Sequence, residues 1–409
     1  MVSEVLRTDI PNDWNVITLG DYAQIFRGGS PRPIQSFLTT SDQGINWIKI
    51  GDVGAGEKFI ESTEEKIIPE GVSRSRMVYK GDLILSNSMS YGRPYIMNIE
   101  GCIHDGWLVI QKYDRLFNRE YLYYALSSDL TMRQYVAMAA GSSVQNLNKE
   151  KVSKVVLPCP KISEQKKIAE VLSSIDALIV DLQKLIRKKK DVLYGSMQKL
   201  MTGEIRLQGF SEEWELVEIG SVAKVIDPHP SHRAPEAVEY GIPFVGIGDI
   251  DEEGNINKKS ARIVDESVYT EHSQRYDLSK NLIGIGRVAS LGKVIRLRND
   301  IGEYVISPTM AIIDFESIDP MFAYYYMRSS EFQNQFTSSS NGSTRQSVGM
   351  HYIRNLNIRK PSPEEQVKLS QCLGDMDYEI RKLEEKCSKY QKVKQGMMEE
   401  LLTGKVRLV

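Results

Sequence analysis

The eight residues "LMTGEIRL" (200–207) return near the C-terminus as "LLTGKVRL" (401–408), with five identities at an offset of 201. The offset is not confined to that phrase. Glu164-Gln165 returns as Glu365-Gln366, Asp176 as Asp377, and Pro160 as Pro361. Gly141-Ser142 with Gln145 returns as Gly342-Ser343 with Gln346. Upstream the spacing drifts slightly, as loops allow: Trp14 answers Trp214, "IKIGDV" (48–53) answers "VGIGDI" (245–250), and "SYGR" (90–93) answers "SLGK" (290–293). The 409 residues are therefore one unit of about 200 residues written twice. Any fold of this chain must place two similar bodies.

Each unit has two parts. The first is about 150 residues of short β-like runs and turns. They include "INWIKIGDV", "GDLILS" and "GWLVIQ" in the first copy, and "IPFVGIGDI", "NLIGIG" and "TMAIIDF" in the second. An aromatic helical pattern follows each set, "EYLYYALSS" and "PMFAYYYMRS". Its tyrosines, Tyr121, Tyr123, Tyr124 and Tyr324, Tyr325, Tyr326, are expected in the core rather than as base-stacking platforms. The second part is a long helix. Apolar residues step by four and three through Ile168, Leu172, Ile175, Ile179, Leu182 and Ile186, and resume at Leu193 and Leu200 after breaks at Lys189 and Ser196. The same register runs through Leu369, Leu373, Met376, Ile380, Leu383, Cys387 and Tyr390, breaks at Lys394, and resumes at Met397 and Leu401. Both are heptad seams suited to a coiled coil. Ser163 is a candidate cap without a full capping box, because Lys166 stands three residues on; Ser362 with Glu365 fits the box. Gly203 and Gly404 are expected to stop the helices.

The expected fold is mixed α/β (α+β): two β-rich globular modules joined by two long antiparallel coiled-coil helices, with an internal pseudo-twofold repeat. The expected boundaries are 1–160, 161–207, 208–361 and 362–409. A helix of about 36 residues is about 54 Å long at about 1.5 Å per residue. That makes it a spacer between two modules, and the pseudo-twofold would bring the C-terminal end near Asp13-Trp14.

Composition narrows the function. Hydrophobic residues at 41% and charged residues at 26% are ordinary for a globular protein. There is no apolar run of 18 residues, so no membrane span is expected, and the start has no secretory pattern. Four scattered cysteines without C-x-x-C spacing fit a reducing, cytoplasmic setting. The net charge of −2 is unevenly spread. Residues 1–160 carry seventeen Lys/Arg against eighteen Asp/Glu, and 208–358 carry fourteen against twenty-one. Nucleic-acid contact, if made, relies on local patches or a basic partner.

Catalytic signatures are missing: no P-loop, no H-E-x-x-H, no G-x-S-x-G and no amino-methyltransferase motif. "GIGRVASLG" (284–292) imitates a phosphate loop, but the strand-like "KVIRLR" follows where a helix is required. "HPSH" (229–232) has no third ligand in a known metal pattern. Neither a bound cofactor nor a metal is expected.

The "LPCPKISEQ" lead-in to the first helix (157–165) resembles the specificity (S) subunits of type I restriction–modification systems. So do its copy "IRKPSPEEQ" (358–366), the two helix exits, and the module openings "DWNVITLGDYAQI" (13–25) and "EWELVEIGSVAKV" (213–225). The resemblance covers nearly the whole chain. It implies two target recognition domains, each reading one half of a split double-stranded DNA target. The helices would set the gap and bind two adenine methyltransferase subunits. Motor-nuclease subunits would join the same assembly. S-adenosylmethionine, ATP and Mg would belong to those partners, and this chain would catalyse nothing. Half-sites about one DNA turn apart, on the order of 34 Å, suit a spacer of this length. A bivalent protein scaffold that does not bind DNA is the alternative.

Base readout needs Arg, Lys, Asn, Gln, Ser or Thr held on loops. In the first module the candidates are Arg27 and Arg32, then Asn87, Ser88, Ser90, Tyr91 and Arg93, then Ser142, Ser143, Gln145 and Asn146. In the second they are His229, His232 and Arg233, then Arg287, Ser290 and Lys293, then Ser343, Thr344, Arg345 and Gln346.

Overall fold

The computed structural model describes residues 10–54, 56–87, 92–139, 147–229, 234–257, 259–337 and 347–409. It is divided into two compact units, one of Met1–Gln183 with Glu385–Val409, the other of Lys184–Glu384. Both divisions fall inside the long helices, Ile162–Met201 and Pro363–Thr403. Each unit thus contains one module, the beginning of the helix that follows it, and the last stretch of the other helix.

The first module has two five-stranded sheets. One runs in the order Leu38–Thr39, Glu65–Ile67, Ile45–Ile48, Gly101–Ile103, Arg76–Val78. The other runs Gln24–Arg27, Trp107–Gln111, Leu83–Ser86, Pro94–Met97, Phe59–Ile60. The second module repeats the plan with four strands (Ala223–Ile226, Met310–Phe315, Ile283–Gly286, Val294–Arg296) and three (Arg262–Val264, Ile242–Val245, Val305–Ile306). The glycine-rich stretch 284–292 joins two antiparallel strands of this four-stranded sheet, so its context is a hairpin. Both aromatic patterns are helices, Arg119–Ser127 and Pro320–Met327, and their tyrosines are buried as expected.

In each module a short ladder joins the first strand to the last. Asn15–Thr18 pairs antiparallel with Val156–Cys159, and Glu215–Glu218 with Asn357–Lys360. The last strand leads directly into a long helix, so the ladder carries the module's tryptophan to that helix's first turn. In the first unit Trp14 Nε1 donates to Glu164 Oε2 at 3.1 Å. Arg407, from the end of the other helix, donates to both Glu164 oxygens at 2.7 and 2.9 Å and to both Asp13 oxygens at 2.9 and 2.8 Å. Its guanidinium lies 5.4 Å from the Trp14 ring centroid. The second unit repeats this with Trp214, Glu365 and Arg206. Arg206 binds Glu365 at 2.8 and 2.7 Å, Trp214 Nε1 binds it at 2.8 Å, and the guanidinium lies 5.1 Å from the ring. The expected closeness of the C-terminal end to Asp13-Trp14 is thus observed.

The neighbouring glutamine is also used twice. Gln165 Oε1 accepts from Asn118 N at 2.8 Å, and Gln366 Oε1 accepts from Asp319 N at 2.7 Å. Asn118 and Asp319 in turn cap the aromatic helices. Further along, Tyr124 donates to Asp176 at 2.7 Å and Tyr325 to Asp377 at 3.2 Å.

Within each unit the two helical stretches run antiparallel. In the first, Glu164 meets Arg407 while Asp176 meets Lys394 at 2.6 Å. In the second, Arg206 meets Glu365 while Lys189 meets Glu379 at 2.8 Å. Two residues that break the heptad seams, Lys189 and Lys394, are therefore ion-pair partners between helices. Ile168, Leu172, Ile175, Ile179 and Leu182 are buried, as are Leu369, Leu373 and Ile380. Ile186 and Met376 are partly buried against the second core, and Leu383 is half-buried.

Two capping expectations need correction. The first helix begins at Ile162, so Ser163 lies inside its first turn rather than at the cap. Ser362 Oγ does accept from Glu365 N at 3.4 Å, but the Glu365 carboxylate is taken by Arg206 and Trp214, so the capping box is only half formed. Gly203 and Gly404 both have φ of +75° just past the helix ends. Equivalent backbone bonds close the two exits, Ile205 N to Lys199 O and Val406 N to Glu400 O. The four cysteines are free thiols. No helix among the described residues is long and apolar enough to cross a membrane.

Two predictions follow from this joint. A Cβ at Gly404 would lie 2.5 Å from Pro11 Cγ, whereas at Gly203 nothing lies closer than 3.8 Å. Gly203→Ala should cost about 1–2 kcal/mol from the left-handed backbone alone. Gly404→Ala should cost about 1–3 kcal/mol more from overpacking, as read from denaturant unfolding. The second prediction concerns acid. Arg407 holds the Glu164 carboxyl below its ordinary value of 4.5 against the opposing effect of burial, and the Trp14 N–H adds to the lowering. The stabilisation is fully present above that ordinary value and fades as pH falls through the lower folded one. Glu164→Gln should lower stability at neutral pH by about 2 kcal/mol and flatten the acid loss below about pH 4.5. Unfolding curves across a pH series check both.

Candidate nucleic-acid interface

The loop "FRGGSPRP" leaves the strand Gln24–Arg27 and passes the turn between Gly101–Ile103 and Trp107–Gln111. The approach is tight: a Cβ on Gly28 would lie 2.2 Å from the His104 carbonyl oxygen. The glycine is needed for the module's own packing.

Asp105 in that turn gathers several side chains. Its carbonyl accepts from Arg27 Nε at 3.0 Å and from Asn87 Nδ2 at 2.9 Å. Its carboxylate accepts from Ser30 Oγ at 2.9 Å and faces His104 Nε2 at 3.0 Å. Arg27 and Arg32 approach it only loosely, at 4.0 and 3.8 Å, and their side chains stay 60% and 84% exposed. Asn87 is 5% exposed and supports the turn. Its carbonyl also accepts from Leu147 N at 3.1 Å. That bond joins the flanks of two nominated loops. Arg93 is exposed at the next strand.

Sequence reading missed two arginines in "GVSRSRMV". Arg74 and Arg76 are exposed, with guanidinium carbons 5.2 Å from the Phe37 centroid and 4.8 Å from the Phe26 centroid. The Arg74 carbonyl lies against Gly29, and Ser75 Oγ donates to Ile103 O at 3.1 Å. Both arginines thus flank the Arg27–Arg32 loop. The signal available in sequence was an R-x-R pair leading into a strand.

The second module uses the same positions differently. Arg287 follows its strand where Asn87 follows its own, and its carbonyl accepts from Val348 N at 2.9 Å, the counterpart of the Leu147 bond. Its side chain is only 14% exposed and donates to Asp227 Oδ2 at 3.0 Å. The expectation of an exposed reading arginine is therefore corrected: here Arg287 anchors the loop mouth. Lys293 Nζ donates to the carbonyls of Ile247 and Ile250 at 3.0 and 2.6 Å, pinning the neighbouring turn. Ser290 is half-buried in the hairpin turn. His229 is 2% exposed and packs edge-on against His272 and Phe244, with centroids 4.6 and 5.6 Å away. Burial holds the His272 pKa below its ordinary value. His229 is thus a core residue rather than a surface ring. Among the described residues no group of three or more His, Cys, Asp and Glu is placed to hold a metal.

Ser88, Ser90, Tyr91, Ser142, Ser143, Gln145, Asn146, His232, Arg233, Ser343, Thr344, Arg345 and Gln346 lie outside the described residues.

Several of the second module's described cations are tied to acids. Lys224, Lys280, Arg298 and Arg359 each meet a carboxylate at 2.7 Å. Hydrogen bonds to Asp314 and Asp300 raise the pKa values of Lys280 and Arg298. Arg328 pairs with Glu252.

Because Arg287 and Asp227 are both largely sheltered, Arg287→Gln should leave an acid under-compensated. It should destabilise the second unit by about 1–3 kcal/mol, measured by chemical denaturation, before any effect on ligand binding is considered.

Comparison with known proteins agrees with the repeat. The family model for the type I restriction modification DNA specificity domain matches twice, over residues 11–192 and 211–394. The MjaVIII specificity subunit of a type I restriction enzyme from Methanocaldococcus jannaschii is 24% identical, over 98% of this chain and 94% of its own. The EcoBI specificity subunit from Escherichia coli is 22% identical, over 87% of this chain and 78% of its own. Among solved structures, the S subunit of a type I restriction-modification system from M. genitalium aligns with TM-score 0.57 at 14% identity, covering 96% of each chain. A chain from a study of type I R-M complex assembly and conformational transition aligns with TM-score 0.56 at 17% identity, covering 97% of this chain and 99% of its own. With the family matched over both repeats and the duplicated joint visible in both units, this chain belongs to the type I restriction–modification DNA specificity family.

Proposed function

We propose that this chain is the DNA sequence-recognition subunit of a type I restriction–modification complex. Each module reads one half of a bipartite, asymmetric duplex target. The long helices act as a coiled-coil spacer that sets the gap and docks two adenine methyltransferase subunits, with motor-nuclease subunits joining through the complex. The observation that carries this reading is a repeated frame with unlike loops. Trp, Glu, Gln and Arg recur at the joints of both units, while the loop mouths carry Asn87 and Arg27 in one module and Arg287 and Asp227 in the other. Like frames suit like partners, and unlike loops suit unlike half-sites.

The chain's own role is recognition. Methyl transfer and ATP-driven cleavage belong to the partners, with S-adenosylmethionine, ATP and Mg held there, and the assembly works in the cytoplasm. A bivalent scaffold that ignores DNA is disfavoured by the family match over both modules.

Co-expression with the methyltransferase partner, followed by mapping of methylated adenines, tests this. A split motif with a fixed gap is expected, and no new methylation would overturn the reading. In the same assay Arg345→Ala should alter only the half-site read by the second module, costing about 1–3 kcal/mol if its contact is bidentate. Changes in both halves would contradict two independent readers.

A further inference from the structure

Four arginines of the first module stand on or beside one loop. Arg27 and Arg32 come from the loop after the strand Gln24–Arg27, and Arg74 and Arg76 flank that loop through Gly29 and Phe26. One carboxylate, Asp105, faces the first two, and only at 3.8–4.0 Å. Among the described residues Arg74 and Arg76 have no ion pair. Their guanidinium groups lie over the rings of Phe37 and Phe26 instead. An aromatic face holds a guanidinium in place without neutralising it, so its N–H groups stay available to an anion.

Other cations of the protein are already paired. Lys224, Lys280, Arg287, Arg298, Arg328 and Arg359 each sit on a carboxylate of their own module. A cation already paired releases few counterions when a phosphate approaches, and an unpaired one releases close to one.

We propose that the Arg27, Arg32, Arg74 and Arg76 edge is a phosphate-backbone clamp through which the first module grips the DNA duplex. This rests on the DNA-reading assignment above. It adds which residues of the first module carry salt-dependent affinity. Arg74 and Arg76 act as positioning residues, since phosphate contacts set register without reading bases.

The test uses the assembled complex with its methyltransferase partner. Two duplexes of equal length serve as probes, one carrying the methylated motif and one lacking it, titrated at several salt concentrations. Arg74→Gln with Arg76→Gln should reduce the steepness of log affinity against log salt by about 2, near 0.9 for each contact. Affinity should fall by a similar factor on both duplexes, with the methylated motif unchanged. Arg74→Lys with Arg76→Lys should keep the wild-type slope, and Arg74→Gln alone should reduce it by about 1. All the substituted side chains are exposed, and matching thermal midpoints check the fold. An unchanged slope in the double Gln variant overturns the clamp while leaving the DNA-reading assignment intact. A changed motif also overturns it, because the arginines would then be reading bases. A wild-type complex that binds neither duplex removes the assignment itself, and the clamp with it.

Discussion

A glutamate in the first turn of each long helix holds three parts of the molecule together. Glu164 takes the indole N–H of Trp14 and the guanidinium of Arg407; Glu365 takes those of Trp214 and Arg206. The tryptophan opens the module, the glutamate opens the following helix, and the arginine closes the other helix. The glutamates are buried, so each carboxylate must be compensated, and the compensation comes from residues distant in sequence. The Arg–carboxylate pair adds geometric specificity, because a fork of N–H donors accepts few orientations. The adjoining glutamine extends the constraint to the aromatic helix, and the Tyr–Asp bond extends it a further turn. The antiparallel course of the helical stretches within each unit follows from this joint together with their apolar seams.

The joint separates what must be alike from what is free to differ. Residues that recur at the 201 offset mostly hold the frame: Gln134 and Gln335 bridge the closing strands in the same way, through Val156 and Asn357. Among the described residues the loop mouths share backbone bonds, such as those of Asn87 with Leu147 and of Arg287 with Val348. Their side chains are unlike, which is the arrangement expected of two readers on one scaffold.

Much of the frame was legible in sequence. Heptad spacing located both helices, short β-like runs between turns located the strands, and the repeat located the joints. These signals are local or periodic, and one chain displays them without folding. The individual site residues were less legible, because exposure and pairing depend on neighbours from distant strands. Arg287 and His229 read as loop surface, yet Asp227 and the His272–Phe244 pair shelter them. Arg74 and Arg76 are not among the residues nominated from sequence, yet Phe37, Phe26 and the close pass of Gly29 make them part of an arginine-rich edge.

The sequence by itself determined that the protein is one unit written twice, with two β-rich modules, two long helices and glycine-closed exits. Periodicity, turn chemistry and self-similarity are properties of the chain alone. Only the tertiary structure decided which repeated residues meet, and which cations are spent on internal carboxylates and which stay open. The joints depend on residues 150 to 394 positions apart in the chain, and pairs such as Arg287–Asp227 join separate strands, which no periodic pattern encodes.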